Sequence, residues 1–231
     1  MTSTPKTLNV TECHRLLDAL LVKDGTEKQF RKGMRNYTMA LLMLDAGLRV
    51  GEVVRLAQND LFYLDEPVRT LRLREEITKG KTERIVPLSS RICQTIREMY
   101  KYWWKNDIGG DWEYAFYRTD PEKQITTRQV ERIIRTAAMK SIGRPVHPHV
   151  LRHTFATRLM RVTNERVVQE LLGHKHIGST QIYTHPNEDD KSEAIQKIQQ
   201  VNTEQEAPGV TKYSPAGVPN RLDAPGTNGD V

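Results

Sequence analysis

The sequence has few of the features that mark a secreted, metal-binding or membrane protein. It contains only two cysteines in 231 residues, Cys13 and Cys93, which are too few for a disulfide framework or a cysteine zinc site. The longest apolar stretch, residues 37–48, is interrupted by polar residues and is shorter than the about 20 residues of a membrane-spanning helix. The polar N-terminus, residues 1–6, leads into no hydrophobic region of the kind found in signal peptides. We therefore expect a cytoplasmic protein with no membrane span and two buried free thiols.

Basic residues outnumber acidic residues over most of the chain. The net charge is +6, yet residues 187–231 contain four Lys/Arg and eight Asp/Glu. Residues 1–186 therefore hold 31 basic and 21 acidic side chains. This excess of positive charge suits a polyanion, and nucleic acid is the first candidate partner. Charge alone leaves open a mildly basic protein that binds no nucleic acid.

Hydrophobic periodicity predicts a fold that is mainly α with a small antiparallel β-hairpin sheet, an α+β class. Asn9 with Glu12 and Thr126 with Gln129 are capping-box pairs that predict helix starts. Alternating residues at 68–73 and 84–88 predict two strands on either side of a lysine-bearing turn. Further helices are predicted near residues 31–46, 51–57, 90–105, 148–161, 164–173, 177–184 and 189–201.

Composition divides the chain at its C-terminal end. Residues 1–201 carry the periodic apolar pattern of one domain. Residues 202–231 alternate proline and glycine and have few large apolar residues, which predicts a disordered, acidic tail. The last helix, 189–201, carries an apolar stripe at helical spacing that fits packing on its own domain or docking on a neighbouring copy.

Six of the seven histidines lie between residues 147 and 185. His149 and His153 have the four-residue spacing of a zinc-protease helix, but Val150 stands where such a site needs its glutamate. No carboxylate ligand is obvious nearby, so we expect no metal and no other cofactor. The same helix instead presents His149 and Arg152 on one face. Alone, this pair also fits a surface helix with polar residues.

Four more motifs occur in a fixed order around that pair. Arg49 follows an apolar helix, with Glu52 three residues on, and Lys79 lies in the hairpin turn. His174 follows a Leu-Leu-Gly helix end, and Tyr183 comes nine residues later. Together the motifs resemble the tyrosine recombinase family, which includes lambda-type phage integrases and Xer-type recombinases. The resemblance covers residues 8–201, and its matching positions are Arg49, Lys79, His149, Arg152, His174 and Tyr183.

The resemblance implies a tyrosine recombinase catalytic-domain fold and a site-specific DNA recombinase. Such an enzyme cleaves and rejoins strands through a 3′-phosphotyrosyl intermediate, without metal or ATP. Tyr183 is then the nucleophile, and Lys79 protonates the leaving 5′-oxygen. Lys81 competes for that role, but counting back from residues 84–87 favours Lys79.

The chemistry fits these residue types. Attack on a phosphodiester builds negative charge on the non-bridging oxygens, which fixed cations must meet when no metal is used. Arg49 and Arg152 can make planar, bidentate contacts with phosphate oxygens. His149 and His174 can add hydrogen bonds or shuttle the tyrosine proton.

The resemblance also implies partners and alternatives. Double-stranded DNA, a tetramer on the DNA synapse, accessory DNA-bending proteins and a nucleoid-associated location are expected. About eight residues precede the matching region, so we expect the family's usual N-terminal core-binding domain to be absent, in a stand-alone form or a fragment. The alternatives are an activity like that of type IB topoisomerases and a catalytically silent DNA-binding accessory protein.

Overall fold

The computed structural model describes residues 7–22, 25–78, 81–106, 114–173 and 188–204. Its helices are α1 (Val10–Leu20), α2 (Glu27–Asp45), α3 (Val50–Val53), α4 (Gln58–Leu61), α5 (Ser90–Tyr102), α6 (Thr127–Ile142), α7 (Pro148–Leu159), α8 (Glu165–Leu172) and α9 (Glu188–Glu204), with a 3-10 turn at Trp104–Asn106. Its strands are β1 (Phe62–Tyr63), β2 (Glu66–Pro67), β3 (Thr70–Leu73) and β4 (Arg84–Pro87). The expected fold class, mainly α with small antiparallel sheets, is confirmed.

Side-chain caps begin the helices where the capping-box pairs predicted them. The Asn9 side chain accepts a hydrogen bond from the Glu12 amide at 2.8 Å, and the Glu12 carboxylate accepts one from the Asn9 amide at 3.0 Å. Thr126 begins α6 in the same way. Helix α2 begins earlier than predicted, because Thr26 and Gln29 form another capping box.

The single short helix predicted at 51–57 is wrong. The chain instead forms α3 and α4, separated by a turn at residues 54–55 and an extended Ala57. The amide of Ala115 donates to the carbonyl of Leu56 at 2.8 Å, and Ala57 pairs with Tyr114 in an isolated β-bridge. This tertiary pairing holds Ala57 in an extended conformation, so a continuous helix cannot form.

The predicted hairpin is present as β3 and β4, which pair antiparallel with Leu71 opposite Val86 and Leu73 opposite Arg84. A second hairpin, β1 with β2, was not predicted. Its turn has positive φ at Leu64 and Asp65, a conformation that favours glycine, asparagine or aspartate. Asp65 is such a residue but Leu64 is not, so the sequence indicated this turn only weakly.

Helix α2 is the centre of the core. Its residues 39–44 are at most 1% exposed, and the helix packs against α1, α5 and α7. Gly47 follows it with φ of 65°, and a Cβ at this position would collide with the ring of Phe155 in α7. A glycine is therefore required where the chain leaves α2 and turns toward Arg49.

Helix α9 packs on its own domain. Ala194, Ile195 and Ile198 are 3–4% exposed, and the helix contacts α7, α8 and β4. Lys191 pairs with Glu170 of α8 at 2.8 Å. Of the two arrangements that the sequence left open, the structure shows packing within one chain.

Some predictions fall outside the described part of the chain. The helix predicted at 177–184 and most of the predicted tail, beyond Glu204, are among them. Cys13 is buried and Cys93 half-buried, and both are free thiols. Within the described residues, no helix combines the length and apolar character needed to cross a membrane.

Candidate active site

Arg49 lies where the end of α2 meets the start of α3. Its amide donates to Glu52 Oε2 at 2.7 Å, and its Nη1 donates to Glu52 Oε1 at 3.0 Å. The side chain is 24% exposed. Glu52 therefore holds both the backbone and the guanidinium of Arg49, while part of that guanidinium stays open to solvent.

The Glu52 carboxylate also binds a second arginine, from β4. Arg84 Nη1 donates to Oε1 at 2.8 Å and Nη2 to Oε2 at 2.7 Å, in a bidentate pair that is buried on both sides. Burial alone would raise the pKa of Glu52, but the hydrogen bonds and charges of Arg84 and Arg49 outweigh it and hold the pKa below its ordinary value. The carboxylate is therefore ionised at neutral pH and orients two cations.

Arg152 lies behind Arg49 and is 7% exposed. Its Nη1 donates to the carbonyl of Gly47, and its Nη2 donates to the carbonyl of Leu172 at 2.6 Å. The pKa of this guanidinium is lowered to about 9, mainly by burial and also by the neighbouring Arg49, against the opposing effect of Glu52. Arg152 is still a cation at neutral pH, and it ties the end of α2 to the end of α8.

Two arginines hold the C-terminal end of α8. Arg84 Nε donates to the carbonyl of Leu171 at 3.0 Å, and Arg152 takes the next carbonyl, that of Leu172. Carbonyls in the last turn of a helix lack hydrogen-bond donors within the helix. The two arginines provide donors for these carbonyls. Gly173 then ends α8 with φ of 63°. The chain thus leaves α8 at the site, one residue before His174.

An open cleft of about 640 Å³ lies in front of these residues. Arg49 and His149 line it, and His149 is exposed at the start of α7. The opposite wall comes from the end of the β3–β4 hairpin and includes Thr78 and Lys81. The remaining lining residues are Val50, Gly51, Glu52, Arg55, Glu75, Glu76 and Ile77.

Three of the six residues predicted for the site are brought together. Arg49 and His149 face one cleft, and Arg152 lies directly behind Arg49. The other three, Lys79, His174 and Tyr183, lie outside the described residues. Thr78 and Lys81, which flank the position of Lys79, both line the cleft, and Lys81 has a positive φ of 47°.

The sequence analysis missed the role of Arg84 in the site. It used residues 84–87 only to align the hairpin and to choose Lys79. The signal was present in the alternation of β4. Arg84 and Val86 point inward, while Ile85 is 36% exposed. A charged side chain on the inward face of a strand requires a buried counter-charge, and Glu52 provides it.

Within the described residues, no group of three or more His, Cys, Asp or Glu side chains is placed to hold a metal ion. The carboxylate nearest the cationic residues, Glu52, is already engaged by Arg84 and Arg49. The described arrangement can therefore bind and stabilise an anion at the cleft, with positive charge fixed on two sides of Glu52.

Comparison with known proteins agrees with this geometry. Residues 6–190 match the profile of the phage integrase family. Tyrosine recombinase XerC of Pseudomonas entomophila is 32% identical over 182 residues, which cover 78% of this chain and 56% of the relative. The crystal structure of the XerA recombinase superposes with a TM-score of 0.61 at 28% identity, covering 90% of this chain and 68% of that one.

A third comparison involves a structure that contains DNA. The XerH site-specific recombinase bound to a palindromic difH substrate, in a post-cleavage complex, has a TM-score of 0.53 and 25% identity, covering 81% of this chain and 51% of that one. The chain belongs to the phage integrase family, the family of tyrosine recombinases, so the resemblance seen in its sequence is confirmed. It spans little more than half the length of the XerC relative.

Proposed function

We propose that this chain carries the catalytic centre of a site-specific DNA recombinase. The observation that carries the proposal is the convergence of Arg49 and His149 on one cleft, with the buried cation of Arg152 behind them. These residues come from α7 and from the junction of α2 and α3, which are far apart in the chain. They occupy the positions at which the family resemblance places its phosphate-binding side chains.

In the proposed reaction, the Tyr183 hydroxyl attacks the scissile phosphorus of a DNA strand. The new bond joins the tyrosine oxygen to the 3′-phosphate, and the bond to the 5′-oxygen breaks. His149 or His174 accepts the tyrosine proton, and Lys79 donates a proton to the leaving 5′-oxygen. The phosphotyrosyl ester keeps the bond energy, so a 5′-hydroxyl of another strand can reverse the step without ATP.

The described residues contribute the electrostatic part of this reaction. Charge that develops on the non-bridging oxygens meets Arg49 at the cleft and the field of Arg152 from behind. Glu52 holds Arg49 in place before substrate arrives, so little reorganisation is needed during the reaction. Buried, preoriented cations stabilise such charge better than solvated ones, because the surrounding dielectric is low.

Partners and organisation follow from the same proposal. We infer double-stranded DNA as the substrate, by analogy with the XerH complex and from the basic residues 1–186. Strand exchange between two duplexes calls for four protomers, with accessory DNA-bending proteins as further partners, in a nucleoid-associated cytoplasmic location. Residues 1–201 would form the catalytic domain and residues 202–231 a tail.

The test is a nicked duplex that traps the covalent intermediate. Tyr183→Phe should abolish the protein–DNA adduct on a denaturing gel and leave duplex binding nearly unchanged in a gel shift. Tyr63→Phe, at an exposed tyrosine of β1, is the matched control and should form the adduct normally. An adduct that persists in Tyr183→Phe would mean that another residue attacks. No adduct with the wild type on its cognate site would contradict the recombinase proposal.

A further inference from the structure

A second cleft, of about 520 Å³, lies between the end of α1, the N-terminal half of α2 and one face of α6. It shares no lining residue with the catalytic cleft. Five cationic side chains line it: Lys32, Arg35, Arg118, Arg132 and Lys140. Among the described residues that line it none is acidic, whereas three glutamates line the catalytic cleft.

Arg35 is the buried member of this cluster and is 4% exposed. Its Nη1 donates to the carbonyl of Tyr117 at 2.6 Å, and its Nε and Nη2 donate to Asn36 Oδ1 at 3.3 and 3.0 Å. The guanidinium also lies over the ring of Trp103, 5.6 Å from its centroid. All of these partners are neutral, unlike the carboxylate that Arg84 receives from Glu52. A buried cation is normally paired with an anion, because desolvation is costly otherwise.

A second positive charge, that of Arg118, lies near Arg35. Burial, with a smaller contribution from the positive charge of Arg118, lowers the pKa of Arg35 to about 10. Arg118 itself is exposed at the cleft. An anion seated between the two guanidinium groups would stabilise both, and planar guanidinium groups suit phosphate oxygens in particular.

The spacing of the exposed residues favours a chain of phosphates over a single ion. Arg132, Thr136 and Lys140 line the cleft at intervals of four residues along α6, so the two cations are about 12 Å apart along the helix. One phosphate could contact both only if the two long side chains extended toward each other along the helix. A nucleic-acid strand has a phosphate every ~3.4 Å of duplex axis and can contact them together.

We propose that this second cleft binds the DNA backbone at phosphates away from the scissile bond. The inference rests on the proposed function for the identity of its ligand. Arg35 stands ten residues before the end of α2, about 15 Å along the helix, and the catalytic Arg49 follows that end. The central helix thus connects two anion sites separated by the length of several nucleotides.

The test is a pair of variants with the same change in charge. Arg118→Gln/Arg132→Gln removes two exposed cations of the cleft, and Arg135→Gln/Arg161→Gln removes two exposed cations outside it. Affinity for a duplex carrying the recombination site is measured from 50 to 200 mM salt. Two lost phosphate contacts should make the salt-induced loss of affinity about tenfold smaller in the cleft variant, and the control should follow the wild type.

Equal salt dependence in the two variants would overturn the proposal. A parallel melting experiment with inorganic tripolyphosphate distinguishes binding of DNA phosphates from binding of free polyphosphate. Stabilisation that requires the cleft cations, with no change in the DNA salt dependence, would assign the cleft to free polyphosphate and overturn the DNA ligand. The Tyr183 adduct on nicked duplex, measured at saturating protein, reports separately on the proposed recombinase activity.

Discussion

The carboxylate of Glu52 accepts four hydrogen bonds from two arginines in a buried setting. Glu52→Gln should therefore lower the free energy of unfolding by about 3–5 kcal/mol, because Arg84 would keep a buried charge without its counter-ion. Urea denaturation measures this loss. Glu52→Gln combined with Arg84→Met should recover part of it, since the unpaired cation is then gone.

The matched control is an exposed pair on the same protein. Glu66 and Arg97 pair at 2.6 Å with side chains 68% and 56% exposed. Glu66→Gln should cost less than about 1 kcal/mol, because solvent screens the pair and ordering it costs entropy. An equal loss from both substitutions would contradict the special role of the Glu52 pair.

The lowered pKa of Glu52 predicts acid sensitivity. A carboxyl whose pKa is lower in the folded state than its ordinary value of 4.5 contributes its full stability above that value and loses it as the pH falls through the folded pKa. The stability difference between wild type and Glu52→Gln should thus shrink below pH 4.5. Urea denaturation over a series of pH values tests this, and a constant difference down to pH 2 would refute it.

Changing the leaving group of the DNA substrate shows which of the two hairpin lysines is the general acid. Lys79→Ala should slow cleavage of ordinary DNA by about 10²–10⁴-fold, as expected for a lost general acid. A 5′-bridging phosphorothioate should restore the rate, because its sulfur leaves without a proton. Lys81, which lines the cleft, is the comparison. Rescue of Lys81→Ala but not of Lys79→Ala would transfer the role to Lys81.

At the scale of secondary-structure elements, the C-terminal end of α8 contacts the arginines of the site. The chain continues from this end to the proposed nucleophile, Tyr183. Arg84 and Arg152 bind two successive carbonyls there, so the cations near the proposed phosphate site also fix the exit direction of the chain.

Helix α9 supplies the prediction at this scale. Ile198→Asp places a charge at a position that is 4% exposed and should destabilise the chain by about 3 kcal/mol or more. The melting temperature should fall by roughly 6–12 °C for a domain of this size. Gln196→Asp adds the same charge on the exposed face of the helix and should shift stability by less than about 0.5 kcal/mol.

The experiment on α9 also compares the melting temperatures at low and high protein concentration. The effect of Ile198→Asp should be the same at low and high protein concentration, because the helix packs within its own chain. Identical melting of the two variants would show that the stripe is not part of the domain in solution, and would favour docking on a neighbouring copy.

At the scale of the whole molecule, the proposed catalysis depends on fixed cations. Arg49 and His149 line the cleft, Arg152 lies behind Arg49, and Glu52 is already engaged by arginines. Cleavage of a nicked duplex should therefore proceed in EDTA at a rate within about twofold of that in magnesium. Loss of the adduct in EDTA, restored by added divalent metal, would contradict the metal-free mechanism.

The sequence by itself determined most of the elements and the family. Local signals sufficed for the helix starts at Asn9 and Thr126, because a cap satisfies backbone groups of its own first turn. The alternation at 70–73 and 84–87 sufficed for the β3–β4 hairpin, since its inward side chains must be apolar or paired. The order and spacing of the family motifs sufficed for the grouping of Arg49, His149 and Arg152.

Only the tertiary structure decided how the cations are held. The pairing of Arg84 with Glu52 joins residues 32 positions apart, and the Arg152 contact with Gly47 spans 105. The break between α3 and α4 depends on a strand segment near residue 115. That no described residue lining the cleft around Arg35 is acidic likewise emerges only when α1, α2 and α6 are assembled. Such contacts depend on the three-dimensional meeting of distant segments, which no local pattern records.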